Sequence, residues 1–127
     1  MSAKPETKIT QEIIQYIKAI HGLAYHVHGS ALQTGGLPDI DGCYPTSSNG
    51  WVHLRVEVKT PEGTPSERQI YWLRNFWRAG YLVGIVTSLE EFIILISAYE
   101  FWLSQYSGQM FDGVPDPYKI YHNRHNY

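Results

Sequence analysis

Hydrophobic and polar positions along this chain change period several times, and each change predicts an element. Residues 11–21 carry a helical pattern in which Ile9, Ile13, Tyr16, Ile17 and Ile20 share one face. Thr10 is the expected N-cap and Gly22 the expected stop. Residues 23–28 alternate as a short strand, and 29–36 form a glycine-rich connection. Residues 38–44 read as a second strand with Asp39 and Asp41 pointing the same way, 45–50 as a turn, and 51–60 as a third strand. In that third strand Val52, Leu54, Val56 and Val58 face a core, while His53, Arg55, Glu57 and Lys59 line the opposite side.

The next helix has a marked start: Thr64 as cap, Pro65 at the first helical position, and Glu67 completing a capping box. Gly80 ends it. Ile70, Trp72, Leu73, Phe76 and Trp77 form its apolar face, with Tyr71, Arg74 and Arg78 opposite. Gln69 falls in the middle of the apolar face and needs a partner, because an unpaired buried amide costs about 1–3 kcal/mol. Residues 81–87 read as a fourth strand, followed by a second capping box from Ser88 to Glu91. The last helix, reaching residue 106, is apolar nearly all round, with a narrow polar stripe of Glu90, Ser97, Glu100 and Ser104. That excess predicts either deep burial or, favoured in a domain this small, partial burial by a second subunit. Residues 107–127 contain Pro115 and Pro117 and read as an irregular tail. The order is α-β-β-β-α-β-α, a single domain over 1–106 plus the tail.

Composition narrows the class. One domain is what 127 residues support. Ten Lys plus Arg against twelve Asp plus Glu give a net charge of −2, which argues against a passive nucleic-acid coat. A metal-dependent nuclease is compatible, since a cation offsets its carboxylates. The one cysteine, Cys43, cannot form an intrachain disulfide and fits a reducing compartment. No stretch reads as a signal peptide or membrane span, so a cytoplasmic location is expected. Ten Tyr and four Trp suggest a packed core plus an adhesive surface.

The candidate chemistry lies in Pro38-Asp39 and Glu57-Val58-Lys59. Glu57 and Lys59 are neighbours on one strand face, roughly 6.5–7 Å apart. Asp39 and Glu57 come from adjacent elements and could converge on one cation, with the Val58 backbone carbonyl a further oxygen ligand. Two such carboxylates repel, so a cation or a proton is expected between them. An ammonium beside them suits an anionic substrate. By spacing alone the competing interpretation is an ordinary polar strand face, with Glu57 and Lys59 as a surface ion pair and Asp39 as a turn residue. Glu12, taken alone, is a carboxylate favoured by a helix N-terminus, and Gln69 alone is a hydrogen-bonded core amide. No His or Cys spacing resembles a zinc site.

Together, Gly35-Gly36-Leu37-Pro38-Asp39-Ile40, Val56-Glu57-Val58-Lys59-Thr60, Ser66-Glu67-Arg68-Gln69 and residues 80–88 resemble the VRR-NUC branch of the PD-(D/E)XK nuclease superfamily. The resemblance covers residues 10–91 and implies an α/β (α+β) fold with a restriction-endonuclease-like core: α-β-β-β-α-β order, a mixed central sheet and flanking helices. It implies that Asp39 and Glu57 ligate Mg²⁺, for which Mn²⁺ can substitute, and that Lys59 is catalytic. Glu12 would assist at a second metal or through water, and Gln69 would keep the site in order.

Stand-alone proteins of this size in the family resemble viral or bacterial nucleases. The resemblance therefore implies a homodimer cutting branched DNA in the manner of Holliday-junction resolvases, in a bacterial or virus-infected cell. A junction is two-fold symmetric, so paired sites could make paired nicks. Flaps, nicks or other DNA ends are alternative substrates, and a non-catalytic DNA-binding or assembly module of the same fold is the alternative of a different class. In so weakly acidic a chain, Lys18, Arg55, Arg68, Arg74 and Arg78 would have to act as local patches.

Overall fold

Strands β1 (Leu23–His26), β2 (Ile40–Pro45), β3 (Trp51–Val58) and β4 (Leu82–Val86) form one sheet in that spatial order. The structure is a computed structural model that describes residues 5–27, 35–47 and 50–105, without the side chains of 102, 104 and 105. The expected end of the first strand at 28, most of the glycine-rich connection, the Ser104 end of the polar stripe and the 107–127 tail lie outside the described residues. β1–β2 and β2–β3 pair antiparallel, and β3–β4 parallel. The parallel step needs a crossover, which α2 (Glu67–Arg78) supplies. With α1 (Pro5–Ala19) and α3 (Leu89–Gln105), the order is α-β-β-β-α-β-α around a mixed sheet, as expected.

Side-chain alternation divides the sheet into two faces. On one, Ile40, Tyr44, Val52, Leu54, Val56, Val58, Leu82 and Val86 pack against Ile13 and Ile17 of α1 and Phe92 and Ile96 of α3. On the other, Val83 and Ile85 pack against Leu73 of α2, with Phe76, Trp77 and Tyr81 around them. α3 comes close enough that a Cβ at Gly84 would lie 2.5 Å from Leu95.

Three element boundaries differ from expectation. α1 starts at Pro5, a residue suited to a first helical position, so Thr10 lies inside the helix, buried, its hydroxyl donating to the Glu6 carbonyl at 2.8 Å. The helix ends at Ala19, and the left-handed residue that closes it is His21, not Gly22: His21 has φ 71°, and Gly22 N–H donates to the Ile17 carbonyl at 2.8 Å in a Schellman-type end. Glycine is needed next door for space, since a Cβ at Gly22 would lie 2.5 Å from the Cys43 carbonyl oxygen.

The α2 cap also shifts. Ser66 is the N-cap, and Gln69 rather than Glu67 closes the box: Gln69 N–H donates to Ser66 Oγ at 3.1 Å and Ser66 N–H to Gln69 Oε1 at 2.8 Å. Before α3, Ser88 Oγ accepts from Glu91 N–H, but the Glu91 carboxylate reaches back to Thr87 N–H and Oγ1, both at 2.7 Å. α3 leaves Ile94 and Phe101 exposed.

Candidate active site

Asp39 stands one residue before β2, and the register that pairs Ile40 with Val56 sets it opposite Glu57. Its backbone is held by Val27 N–H, which donates to the Asp39 carbonyl at 2.6 Å. Its carboxylate is held by Val58 N–H, which donates to Oδ2 at 2.9 Å. The contact of Val58 with Asp39 is therefore through the amide, on the same residue whose carbonyl the sequence offers as a ligand.

Glu57 is the centre of the arrangement. It is 2 % exposed, although it lies on the face that alternation sets against the aliphatic core. The polar face of β3 is not a solvent face, because α2 covers it. Gln69 Nε2, from α2, donates to Glu57 Oε1 at 2.9 Å. One glutamine side chain thus closes its own helix cap with its oxygen and fixes a buried carboxylate with its nitrogen. That accounts for the polar residue on an apolar face. Glu57 Oε2 has no hydrogen-bond partner among the described residues.

Burial, then the Asp39 charge and a carboxyl–carboxyl contact with Asp39, push the Glu57 carboxyl up to about 9; Lys59 opposes this and Glu6 adds to it. An acid so raised holds a proton at neutral pH unless a cation replaces it. An unpartnered buried oxygen beside a second carboxylate is what a hard divalent cation would satisfy. Asp39 and Glu57 fit that role. Lys59 follows β3 directly, half-buried, its N–H donating to the Val86 carbonyl at 3.0 Å, so its position is locked to the neighbouring strand.

The structure brings Asp39, Glu57, Lys59 and Gln69 together. It does not bring Glu12 with them: Glu12 is an exposed residue of α1, and no group of three His, Cys, Asp or Glu that could hold a metal occurs among the described residues. The helix-one carboxylate whose charge reaches Glu57 is Glu6, six residues earlier and about 120° round the helix from Glu12. Glu6 is itself exposed and lies one turn before buried Thr10. Pro5, a signal for a first turn that begins before Thr10, could have pointed to it.

Arg55 is a second correction. It is not part of a surface patch but 8 % exposed, its guanidinium 4.3 Å over the Phe76 ring and Nη2 donating to the Pro38 carbonyl at 3.5 Å. It links α2 to the Pro38-Asp39 corner. Beyond it, the exposed Tyr25 hydroxyl donates to the Asp41 carboxylate, a contact that raises the Tyr25 pKa. Asp39 and Asp41 do lie on the same side of β2, but only Asp39 reaches Glu57.

No protein-family model and no curated protein matches the chain. Among solved structures it is similar to a VRR_NUC domain, with a TM-score of 0.63 and 26 % identity, over 76 % of this chain and 99 % of that one. It is also similar to Hjc, a Holliday junction resolvase from the archaeal hyperthermophile Archaeoglobus fulgidus, with a TM-score of 0.48 and 19 % identity over 65 % of this chain and 67 % of that one. The chain thus has the restriction-endonuclease-like fold of a VRR_NUC domain: a mixed four-stranded sheet flanked by helices, with the Pro38-Asp39 and Glu57-Val58-Lys59 motifs meeting at its centre.

Proposed function

We propose that the chain is a divalent-metal-dependent DNA endonuclease that hydrolyses phosphodiester bonds, with branched DNA as substrate. One observation carries this reading: the buried, unpartnered Glu57 Oε2 beside Asp39 and Lys59, in a fold similar to a VRR_NUC domain. That likeness supports a nuclease of the superfamily. A solvent-facing ion pair would have no reason to bury Glu57, and a structural carboxylate would have its second oxygen paired.

In this reading Asp39 and Glu57 hold Mg²⁺ or Mn²⁺, with the Val58 carbonyl as a further oxygen. When bound, the ion supplies Lewis-acid polarisation of the phosphate and lowers the pKa of a water. Val58 N–H and Gln69 hold the two carboxylates in place, so little reorganisation accompanies the reaction. Lys59 orients the attacking water or offsets the extra negative charge on phosphorus. Glu12 remains a proposed assistant through water. Action as a homodimer is proposed from α3, whose exposed Ile94 and Phe101 would be covered by a second copy. The proposed location is the cytoplasm; among the described residues no helix is long and apolar enough to cross a membrane.

The test is a panel of labelled junction, flap, nicked, single-stranded and linear duplex DNA incubated with and without Mg²⁺. Metal-dependent cleavage, greatest on the junction, is expected. Cleavage confined to flaps, nicks or ends would replace the substrate assignment. Metal-independent cleavage would remove the assignment of the site, and none on any substrate would favour the non-catalytic module.

A further inference from the structure

Every described arginine of this weakly acidic chain lies on the α2 side of the sheet, while α1 on the other side carries Lys8 and Lys18 against Glu6 and Glu12. α2 carries Arg68, Arg74 and Arg78 against Glu67, a net of +2, while α3 carries Glu90, Glu91 and Glu100 with no basic residue, a net of −3. The two helices pack on opposite faces of the sheet, α2 on the Glu57 face. The overall charge of −2 therefore conceals a polarity across the molecule. A polyanion is drawn to the α2 side and repelled from the α3 side.

A pocket of about 340 Å³ opens on the outward side of α2, away from Glu57, lined by Glu67, Ile70, Tyr71, Arg74, Asn75 and Arg78. Tyr71, Arg74 and Arg78 lie within about 60° of one another round the helix, and all three are exposed. Arg68 begins this run beside the motif loop: a Cβ at Gly36 would come within 2.9 Å of the Arg68 backbone and side chain. From Arg68 to Arg78 the helix extends about 15 Å, or about four base steps of duplex at roughly 3.4 Å each. On its inward side the same helix holds Glu57 through Gln69, so one rigid element sets the register between the run and the site.

We propose that the outward face of α2, from Arg68 to Arg78, is the track for the phosphate backbone of the DNA arm beside the cleaved bond. This rests on the nuclease reading above. Arginine forks bind phosphate oxygens without reading sequence, so the track would position DNA and set its salt sensitivity.

The test measures equilibrium binding of the unmodified protein to branched duplex DNA in EDTA, which prevents metal-dependent cleavage, from about 50 to 200 mM KCl. Each lost phosphate contact lowers the slope of log affinity against log salt by about 0.9. Arg74→Gln combined with Arg78→Gln should weaken binding and reduce the slope by about 1.8. Lys18, a candidate patch residue by sequence, lies on α1 across the sheet and outside this track, so Lys18→Ala should leave the slope unchanged. If the double variant melts early, Arg78→Gln alone should reduce the slope by about 0.9. An unchanged slope in a folded double variant, or an equal loss from Lys18→Ala, overturns the track while leaving the nuclease reading intact. No binding by the unmodified protein, with no cleavage of the panel, overturns both.

Discussion

The two faces of β3 are buried almost equally, yet they are built in opposite ways. Leu54, Val56 and Val58 are each 0 % exposed against α1 and α3, while Arg55 and Glu57, between them in sequence, are 8 % and 2 % exposed beneath α2. Aliphatic side chains gain from burial by contact alone. A buried charge needs partners, and here they are few: the Pro38 carbonyl and Phe76 ring for Arg55, and the Gln69 amide and the Asp39 carboxyl for Glu57. An unpaired buried acceptor costs about 1–3 kcal/mol. One face stabilises the fold, and the other carries a cost that only a bound cation or a proton offsets.

Removing a residue from each face should give opposite phenotypes. Lys59→Ala, at the end of the polar face, should slow cleavage by roughly 100- to 1000-fold or more, while its urea midpoint matches that of the unmodified protein. Leu54→Ala, on the aliphatic face, should lose about 2–5 kcal/mol of stability, with cleavage per folded molecule nearly unchanged at low temperature. Full activity in Lys59→Ala would sink the site assignment. A destabilisation as large as that of Leu54→Ala would mean the polar face is structural.

That contrast also separates what was legible in the sequence from what was not. Strict alternation at Val52, Leu54, Val56 and Val58 identified the aliphatic face, and it is the face observed. The polar face follows the same alternation but looks solvent-facing, because nothing local says that α2 will lie over it. Alternation alone therefore makes Arg55 a surface residue, whereas Phe76, twenty-one residues later, buries it. Gln69 was legible as a polar residue on an apolar face, but not as part of its helix cap. Its two hydrogen bonds use both ends of one amide, and only the three-dimensional register of α2 over β3 brings Glu57 to the second. Thr10 is a good cap residue, so the pattern starts the helix there; Pro5 begins it, and the first turn then holds Glu6, whose charge reaches Glu57.

pH probes the polar face directly. The Glu57 carboxyl is raised from 4.5 to about 9 in the fold, so its protonated form is the one the fold favours. The stability it contributes is fully present below about 4.5 and is lost as pH rises through about 9. Metal-free protein should therefore become easier to unfold with urea across that window, and Glu57→Gln should flatten the dependence and melt higher at pH 8. The same variant should lose Mn²⁺ binding. In unmodified protein, metal must displace the proton, so about one proton should be released per ion at pH 7 and affinity should rise toward pH 9. Calorimetry in buffers of different ionisation enthalpy measures that release. Metal binding without proton release would place the ion elsewhere than on Glu57.

Gln69 tests how far the two faces are coupled through α2. Gln69→Ala removes the capping acceptor for Ser66 N–H, which is exposed to water, and the amide that donates to buried Glu57 Oε1. The first loss costs about 0.5–2 kcal/mol, as other cap deletions do. The second leaves another buried acceptor unpaired and frees the carboxylate to turn. Gln69→Glu separates the two, because its carboxylate can still accept from Ser66 N–H but cannot donate to Glu57 unless protonated. If Gln69 orders the site, Gln69→Glu should keep most of the cap stability that Gln69→Ala loses, yet weaken Mn²⁺ binding at neutral pH and above, where the new carboxylate is ionised and cannot donate to Glu57. If the glutamine is only a cap, both variants should bind Mn²⁺ as the unmodified protein does, and α2 would hold the sheet without holding the carboxylate.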